Sequence, residues 1–499
     1  MRPALRVVLY AVNGTGVGHV TRLLAIARWI RRYGAALDRD LEIWFITSSE
    51  ADGLVFAEGF AAFKIPSKTI VAETGIHRTT YLALAKQWIW HTLGLLRPDL
   101  FVVDTFPRGS FGELISALDL CRRSAFVYRP VRPSVAERAD FQAMLTLYDL
   151  VVVPEAEDTK VLTPASVADR VVHAGPVVSR ERWELLAREE AQKRLGVGPD
   201  QRCVFVSAGG GGDRSAEERI ANVVRSLAAD PTLHIVVGTG PLYRGRPFPR
   251  ITIVPGAAAT FANAFDVAVC AAGYNTFSEM MFAGVPCVFL PQDKLADDQR
   301  ARAERAALAG AAVMLGADDD PREAVRAILA KADAPAAARS LVPENGARVA
   351  AAELLRLVVP AAEIDRVEAT LDDDAFAYVK NREVDALRLG HRLAHGDDGE
   401  LALGLAARAA CVLLEFADPR EARGLVDAVV EGMPEADVQV RAFVVVEVCA
   451  ALGNLRHGEG AAARLAAKEG RWKGTGGEAL AREMRAHYNE SSSSLRSTK

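Results

Sequence analysis

Short apolar runs alternate with amphipathic stretches along the first 355 or so residues of the chain. The apolar runs predict strands at Leu5–Ala11, Leu41–Thr47, Leu100–Asp104, Ser124–Tyr128, Leu150–Val153, Val171–Ala174, Cys203–Ser207, His234–Gly238, Ile251–Val254, Val267–Ala271 and Cys287–Leu290. Helix-length stretches such as Thr21–Tyr33, Thr79–Leu95 and Ala216–Ala229 lie between most of them. This alternation predicts an α/β fold with parallel sheets covered by helices.

The series of strands and helices begins a second time near the middle of the chain. A charged stretch after "AGPVVSR" predicts a helix over Glu181–Leu195, and a new strand follows it. We therefore predict two Rossmann-like domains, residues 1–178 and 179–358, facing a cleft that is lined by loops at the strand carboxyl ends. Beyond them, helical spacing of Ala and Leu predicts an all-helical appendage over 359–488, and a Ser-rich segment predicts a disordered tail over 489–499.

Composition narrows the classes of function. The formal net charge of -4 disfavours a dedicated nucleic-acid binder, because phosphate backbones are met by an excess of Lys and Arg. No segment has the roughly 18 consecutive apolar residues of a membrane span. The six cysteines are scattered without a CxxC pair, and the amino terminus leads directly into a strand rather than a signal peptide. We expect a cytoplasmic protein with reduced thiols, and peripheral membrane contact stays open.

The loop after the first strand, "VNGTGVGH", carries Gly14, Gly16 and Gly18 before His19. A dinucleotide fingerprint needs a third glycine where the histidine stands, so that kind of site is disfavoured. The glycines still indicate a tight turn or the close approach of a ligand. His19 opens a predicted helix, whose dipole lowers the pKa of the imidazole, and a neutral imidazole there suits proton abstraction.

A second glycine-rich loop, "SAGGGGD", joins a strand to a helix in the second predicted domain. Its four glycines are Gly209, Gly210, Gly211 and Gly212. Bare backbone amides followed by a helix N-terminus predict an anion site suited to a diphosphate. No Gly-Lys-Ser/Thr follows, which excludes a Walker A motif.

A third motif is "AAGYNTFSEMMFAGVPCVFLPQDKLADDQ". It predicts a strand end near Gly273, a helix from about Asn275 that carries Glu279 near the close of its first turn, and an acidic loop at residues 293–299. A carboxylate beside a cleft accepts two hydrogen bonds from a vicinal diol such as a ribose. Asp297, Asp298 and Gln299 are suited to sugar hydroxyls, or to helix capping.

Together these motifs resemble a known family. The segments "GTGVGHVTRLLAIA", "GPVV", "SAGGGG" and "AGYNTFSEMMFAGVPCVFLPQ" are similar to nucleotide-sugar glycosyltransferases of the GT-B fold, in the group that contains the bacterial peptidoglycan UDP-N-acetylglucosamine transferase. The segment "RPDLFVVDTFPRGSFGEL" also resembles other predicted glycosyltransferases related to that group. The resemblance covers roughly residues 5–358.

The resemblance implies a role for each loop. On the donor side it implies a diphosphate site at Gly209, Gly210, Gly211 and Gly212, a ribose site at Glu279, a base site at Pro255 and Gly256, and a phosphate and sugar site at Gly273, Tyr274, Asn275, Thr276, Asp298 and Gln299. On the acceptor side, Gly14, Gly16 and Gly18 shape the cleft, Asp104 belongs to a second loop, and His19 is the candidate base. We also place Arg129 on the acceptor side, where it binds an anionic acceptor or pairs with a surface carboxylate.

The implied reaction is sugar transfer from a nucleotide-diphosphate donor, UDP-linked by the resemblance, to an acceptor hydroxyl or amine. It is a direct, inverting displacement that needs no cofactor or essential metal, because backbone amides and a helix N-terminus stabilise the leaving diphosphate. Pro107 and Arg108 stand where the family has glycines, so the acceptor class stays open among a small molecule, a glycan and a lipid-linked group. Two alternatives also stay open. One is a nucleotide-sugar epimerase or hydrolase on the same fold, and the other is a silent sugar-nucleotide-binding module whose appendage recruits a protein partner.

Overall fold

Strands and helices alternate through the part of the chain that the structure describes. The structure is a computed structural model, and it describes residues 4–12, 17–37, 39–110, 112–207, 214–240, 243, 248, 251–255, 258–294, 297–316 and 319–370. The strands are β1 Leu5–Ala11, β2 Leu41–Thr47, β3 Ala61–Lys64, β4 Leu100–Asp104, β5 Arg123–Val127, β6 Leu150–Val153, β7 Val171–His173, β8 Arg202–Ser207, β9 Leu233–Thr239, β10 Thr252–Pro255, β11 Val267–Cys270, β12 Cys287–Phe289 and β13 Ala312–Met314. The α-helices are α1 Gly18–Ala36, α2 Gly53–Ala57, α3 Lys68–Glu73, α4 Arg78–Leu96, α5 Pro133–Ala136, α6 Ala139–Leu145, α7 Arg188–Leu195, α8 Arg214–Leu227, α9 Tyr274–Ala283, α10 Gln299–Leu308, α11 Pro321–Leu329, α12 Ala334–Leu341, α13 Ala347–Arg356 and α14 Ala361–Thr370.

The strands form two parallel sheets. In the described residues the first sheet has the order β3-β2-β1-β4-β5-β6-β7, and the second has the order β10-β9-β8-β11-β12-β13. Central strands such as β4 and β11 are buried along their whole length, as expected for parallel strands that helices cover on both faces. The predicted α/β fold with two Rossmann-like sheets is confirmed.

Each sheet has one point at which the direction of strand addition reverses. In the first sheet it lies between β1 and β4, and in the second it lies between β8 and β11. The chain leaves the carboxyl ends of such neighbours toward opposite faces of the sheet, and this opens a crevice in which ligands bind in α/β folds. Both glycine-rich loops follow the first strand of such a pair, and the "AAGYN" segment follows β11.

The two sheets belong to one compact unit, Met1–Glu368. The last helices return to the first sheet, since α13 packs along α1 and the guanidinium of Arg39 binds Glu363 of α14 at 2.8 Å. Helix α14 lies at the start of the predicted appendage. The rest of that prediction, and the disordered tail, lie outside the described residues.

Three sequence expectations are wrong in detail. The short strands β3 and β13 were not predicted. The single helix expected over Glu181–Leu195 is a 3-10 turn at Arg182–Glu184 followed by α7. The chain is extended between them because the backbone N–H of Leu186 donates to the carbonyl of Thr260 at 3.0 Å, which replaces an intrahelical bond.

A glycine at the junction of the two halves gives a test of this packing. A Cβ on Gly346 would lie 2.2 Å from the carbonyl oxygen of Gly175 and 2.4 Å from that of Ala174, and both are backbone atoms. We expect Gly346→Ala to destabilise the protein by about 2 kcal/mol through overpacking. Thermal unfolding measures the change. Gly94→Ala in α4 is the matched control, since its Cβ meets nothing within 4 Å and the better helix propensity stabilises by up to about 1 kcal/mol. Equal melting temperatures for the two variants would contradict the prediction.

Candidate active site

The crevice of the first sheet holds a histidine–aspartate pair. His19 lies in the first turn of α1, the helix that follows β1. Asp104 ends the neighbouring strand β4. The Nδ1 atom of His19 lies 3.1 Å from Oδ2 of Asp104, and the two residues are 8% and 0% exposed. The predicted candidate base therefore has a buried carboxylate partner.

Arg22 and Thr105 hold the Asp104 carboxylate in place. Arg22 Nη2 donates to Oδ2 at 2.9 Å and Arg22 Nε donates to Oδ1 at 3.3 Å, while the Thr105 hydroxyl donates to Oδ1 at 2.9 Å. Burial alone would raise the pKa of Asp104, but the charges of Arg22 and His19 and their hydrogen bonds lower it to about 2. Asp104 is therefore an ionised acceptor at neutral pH.

The imidazole of His19 is neutral at neutral pH. Its pKa is lowered from the ordinary value, first by burial and then by the positive charges of Arg22 and Arg129, although Asp104 acts in the opposite direction. The direction is the one expected, but its leading cause is burial, whereas the sequence predicted an effect of the helix dipole. Because ionised Asp104 accepts a hydrogen bond at Nδ1, that nitrogen carries the proton and Nε2 keeps its lone pair. This is the state that a general base requires.

The backbone beside Asp104 is strained. Thr105 has a φ of 62°, a left-handed conformation that β-branched residues rarely adopt, and it is fully buried. Its N–H donates to the carbonyl of Val127 on β5 at 3.0 Å. Strain of this kind costs about 1–3 kcal/mol, and it persists where the surroundings hold a functional side chain in position.

A cavity of ≈ 360 Å³ opens between the two sheets. The first half contributes one face of α1 and the end of α2, and the second half contributes the carboxyl ends of β8 and β9, the start of α9 and the segment after β10. The lining residues are Val17, Thr21, Leu24, Ala25, Arg28, Leu54, Ala57, Glu58, Ser179, Arg180, Phe205, Ser207, Gly238, Thr239, Gly240, Ala258, Ala259, Asn275, Thr276, Glu279 and Met280. The predicted donor residues Asn275, Thr276 and Glu279 therefore share one wall.

Glu279 presents its carboxylate to this cavity from α9. The helix begins at Tyr274, so Glu279 lies in the second turn and not at the close of the first. The hydroxyl of Ser179 donates to its Oε1 at 2.6 Å, and burial raises the pKa of the carboxyl in spite of that bond.

The other predicted donor residues have partners within the protein. Gly273 is the N-cap of α9, the Asp298 carboxylate caps α10 by accepting from the N–H of Ala301 at 3.1 Å, and Gln299 Oε1 accepts from the N–H of Gln292 at 3.0 Å. The buried Tyr274 hydroxyl donates to the carbonyl of Pro154 and accepts from the N–H of Val177. These side chains shape the start of α9 and the loop before α10.

The predicted acceptor-side residues Gly18 and Arg129 also have partners within the protein. Gly18 is the first residue of α1, and its carbonyl accepts from Asn275 Nδ2 at 3.2 Å. Arg129, which is 8% exposed, is paired with Asp297 at 2.7 Å, and Arg302 shares that carboxylate at 2.9 Å. Arg129 thus makes an ion pair with the second half of the molecule.

Several predicted residues lie outside the described residues, namely Gly14, Gly16, Gly209, Gly210, Gly211, Gly212 and Gly256. Pro255 ends β10 and is in register with Thr239, which lines the cavity. In the described part of the chain, no group of three or more His, Cys, Asp or Glu side chains is placed to hold a metal ion. No helix there has the length and apolar character needed to cross a membrane.

Sequence reasoning missed Arg22, Thr105 and Ser179. Arg22 follows His19 by three residues, which places both on one face of a helix, so its proximity could have been predicted. Its contact with Asp104 requires β1 and β4 to be neighbours, which no local pattern indicates. The contact of Ser179 with Glu279 likewise joins segments that are 100 residues apart.

Known glycosyltransferases resemble this chain in sequence. The model of the glycosyltransferase family 28 C-terminal domain matches residues 253–354. The UDP-N-acetylglucosamine–N-acetylmuramyl-(pentapeptide) pyrophosphoryl-undecaprenol N-acetylglucosamine transferase of Carboxydothermus hydrogenoformans is 25% identical over 346 residues, which are 66% of this chain and 89% of that protein. The transferase of the same name from Salinibacter ruber is 27% identical over 335 residues, covering 62% and 84%.

Among solved structures, the calicheamicin glycosyltransferase CalG4 is 20% identical, with a TM-score of 0.47 over 74% of this chain and 98% of that one. The family model matches part of the second Rossmann-like half, and the two transferases match 66% and 62% of the chain. The chain therefore carries a region that matches a glycosyltransferase domain, and it resembles the group of the peptidoglycan transferases.

Proposed function

We propose that this enzyme transfers a sugar from a UDP-linked donor to an acceptor hydroxyl or amine, with inversion and without an essential metal. The observation that carries the proposal is a neutral, oriented histidine whose buried partners reach a cavity built from both halves. His19 is not one of the lining residues, but Arg22, which binds its partner Asp104, lies with Nη1 3.5 Å from Oδ1 of Asn275 in the cavity wall. The two relatives bear UDP-N-acetylglucosamine in their names, which supports UDP as the nucleotide.

The cavity offers a suitable surface for each part of such a donor. The Glu279 carboxylate is suited to accept hydrogen bonds from ribose hydroxyls. Phe205, Met280 and Ala258 supply apolar surface for a base. The first N–H groups of α9 have no intrahelical acceptors, and they are suited to bind the diphosphate together with the glycine loop at residues 209–212.

The residues then perform a single displacement. Nε2 of His19 takes the proton of the acceptor group, and the acceptor's lone pair forms a bond to the anomeric carbon. The bond from that carbon to the diphosphate oxygen breaks, and the diphosphate leaves with the electron pair from the opposite face. Asp104 stabilises the imidazolium that forms, and the N-terminus of α9 stabilises the charge of the leaving group.

A hydrolase, an epimerase and a silent binding module are less favoured. The relatives are transferases by name. The acceptor itself is proposed only as a hydroxyl or amine. The loop after β4 differs from the family pattern at Pro107 and Arg108, and Arg108 forms an ion pair with Asp140.

Replacing the base tests the proposal directly. We expect His19→Ala to lower kcat by about 10²–10⁴-fold, the usual contribution of general base catalysis, while thermal stabilisation by UDP stays at the wild-type level. Asp104→Asn should also lower kcat, because an amide does not hold Nδ1 protonated. Release of UDP from a panel of UDP-sugars measures turnover. Wild-type turnover in His19→Ala would exclude His19 as the base.

Glu279 gives a separate test of the donor site. We expect Glu279→Gln to raise the KM for the UDP-sugar by roughly tenfold or more through loss of charge-assisted hydrogen bonds. The same variant should lose the preference for UDP over 2′,3′-dideoxy-UDP.

Burial raises the pKa of Glu279. The affinity of the wild type for UDP should therefore begin to fall, as the pH is lowered, at a higher pH than it would with an ordinary carboxyl group. Titration calorimetry measures both effects. Glu323→Gln on the exposed face of α11 is the control, and an equal effect in both variants would contradict the assignment.

A further inference from the structure

Arg22 is a buried cation that touches both halves of the molecule. We propose that Arg22 is a positioning residue, which keeps the Asp104–His19 pair competent as a base and connects that pair to the donor helix α9. This inference rests on the proposed role of His19. It assigns a role to a residue that is not among those lining the cavity.

The contact with Asp104 is bidentate and buried. Arg22 Nη2 lies 2.9 Å from Oδ2 and 3.2 Å from Oδ1, with Nε at 3.3 Å from Oδ1, and Arg22 is only 2% exposed. The planar guanidinium fits the carboxylate in one orientation, which in turn fixes Oδ2 against His19. The arginine therefore orients the partner of the base as well as neutralising it.

The second contact of Arg22 is with α9. Arg22 Nη1 lies 3.5 Å from Oδ1 of Asn275, and the guanidinium carbon lies 4.8 Å from the centre of the Tyr274 ring. Asn275 also donates from Nδ2 to the hydroxyl of Thr21 on α1. The start of the donor helix thus holds the same arginine that orients Asp104.

The charged groups around Asp104 and His19 indicate why Arg22 influences the pKa of His19. Arg129 follows β5 and is neutralised by Asp297, which Arg302 of α10 shares. Glu155 follows β6; burial raises the pKa of its carboxyl, and the charges of nearby arginines oppose that rise. Of the described charged groups near the pair, only Arg22 binds Asp104 directly with a permanent positive charge. Its removal would leave a buried carboxylate with His19 as its remaining cationic partner.

The consequence is a definite change in pH dependence. A positive charge beside His19 disfavours the imidazolium, so loss of Arg22 should raise the pH at which His19 becomes neutral. The base must be neutral to act, and kcat/KM rises with pH through that point. The acid limb of the pH profile should therefore move to higher pH in a variant without the charge.

The experiment measures the rate of UDP release from a UDP-sugar against pH at saturating donor, in wild type, Arg22→Met, Arg22→Gln and Arg22→Lys. We expect the acid limb to move up by about one pH unit in Arg22→Met and Arg22→Gln, as for loss of one nearby charge. In Arg22→Lys the limb should stay near the wild-type position, with kcat lowered because lysine cannot form the bidentate contact. Arg22→Gln carries the measurement if Arg22→Met does not fold, and UDP-induced thermal stabilisation reports folding.

A control and a double variant complete the test. Arg31→Met removes a cation from the same helix, where Arg31 Nη1 binds the carbonyl of Glu58 at 3.0 Å, and it should leave the acid limb unchanged. Asn275→Ala should move the limb in the same direction by less, and adding it to Arg22→Met should cause no further shift, because the two residues act through one contact.

The outcomes separate the two proposals. If His19→Ala retains wild-type turnover, the role of His19 fails and the role of Arg22 fails with it. If His19→Ala loses turnover while Arg22→Met and Arg22→Gln keep the wild-type acid limb, only the Arg22 inference is overturned. A shift of the same size in Arg31→Met would also overturn it, because the effect would then arise from net charge and not from contact with Asp104.

Discussion

The buried carboxylate of Asp104 is the constraint on which the rest of the site depends. An ionised carboxylate with no exposure to water costs several kcal/mol unless charged and hydrogen-bonding partners surround it. Here Arg22, His19 and Thr105 supply those partners, and each comes with a structural consequence. The arginine and histidine must share one face of α1, and the threonine must adopt a left-handed backbone.

The topology of the two sheets brings these partners together. The crevice between β1 and β4 places the first turn of α1 beside the end of β4, and the crevice between β8 and β11 places α9 at the corresponding edge of the second sheet. The starts of the two helices then meet through Asn275, Gly18 and Thr21. One cavity between the sheets therefore has the start of α1 on one side and the Glu279 carboxylate on the other, and the Asp104–His19 pair is connected to its wall through Arg22 and Asn275.

The local pattern of the chain predicted most of this framework. Eleven strands were expected, and the bounds of β1, β2, β4 and β6 agree with the structure to the residue. Runs of β-branched and aromatic residues that are buried on both faces give a strong signal over four to seven residues. The missed strands β3 and β13 are three or four residues long, lie at sheet edges and contain alanines. Pairing with a neighbouring strand, and not their own composition, makes them extended.

What the sequence by itself determined is the set of elements, the glycine-rich loops, and the residue types at each strand end, including His19, Asp104 and Glu279. It also contained the spacing of His19 and Arg22 on one helix face. Only the tertiary structure decided that Asp104 is the partner of His19, that Ser179 binds Glu279, and that Arg22 reaches α9. The reason is that these contacts join segments up to 253 residues apart. They depend on the order of strands within each sheet and on the meeting of two sheets, and neither is encoded in a local pattern of apolar and polar residues.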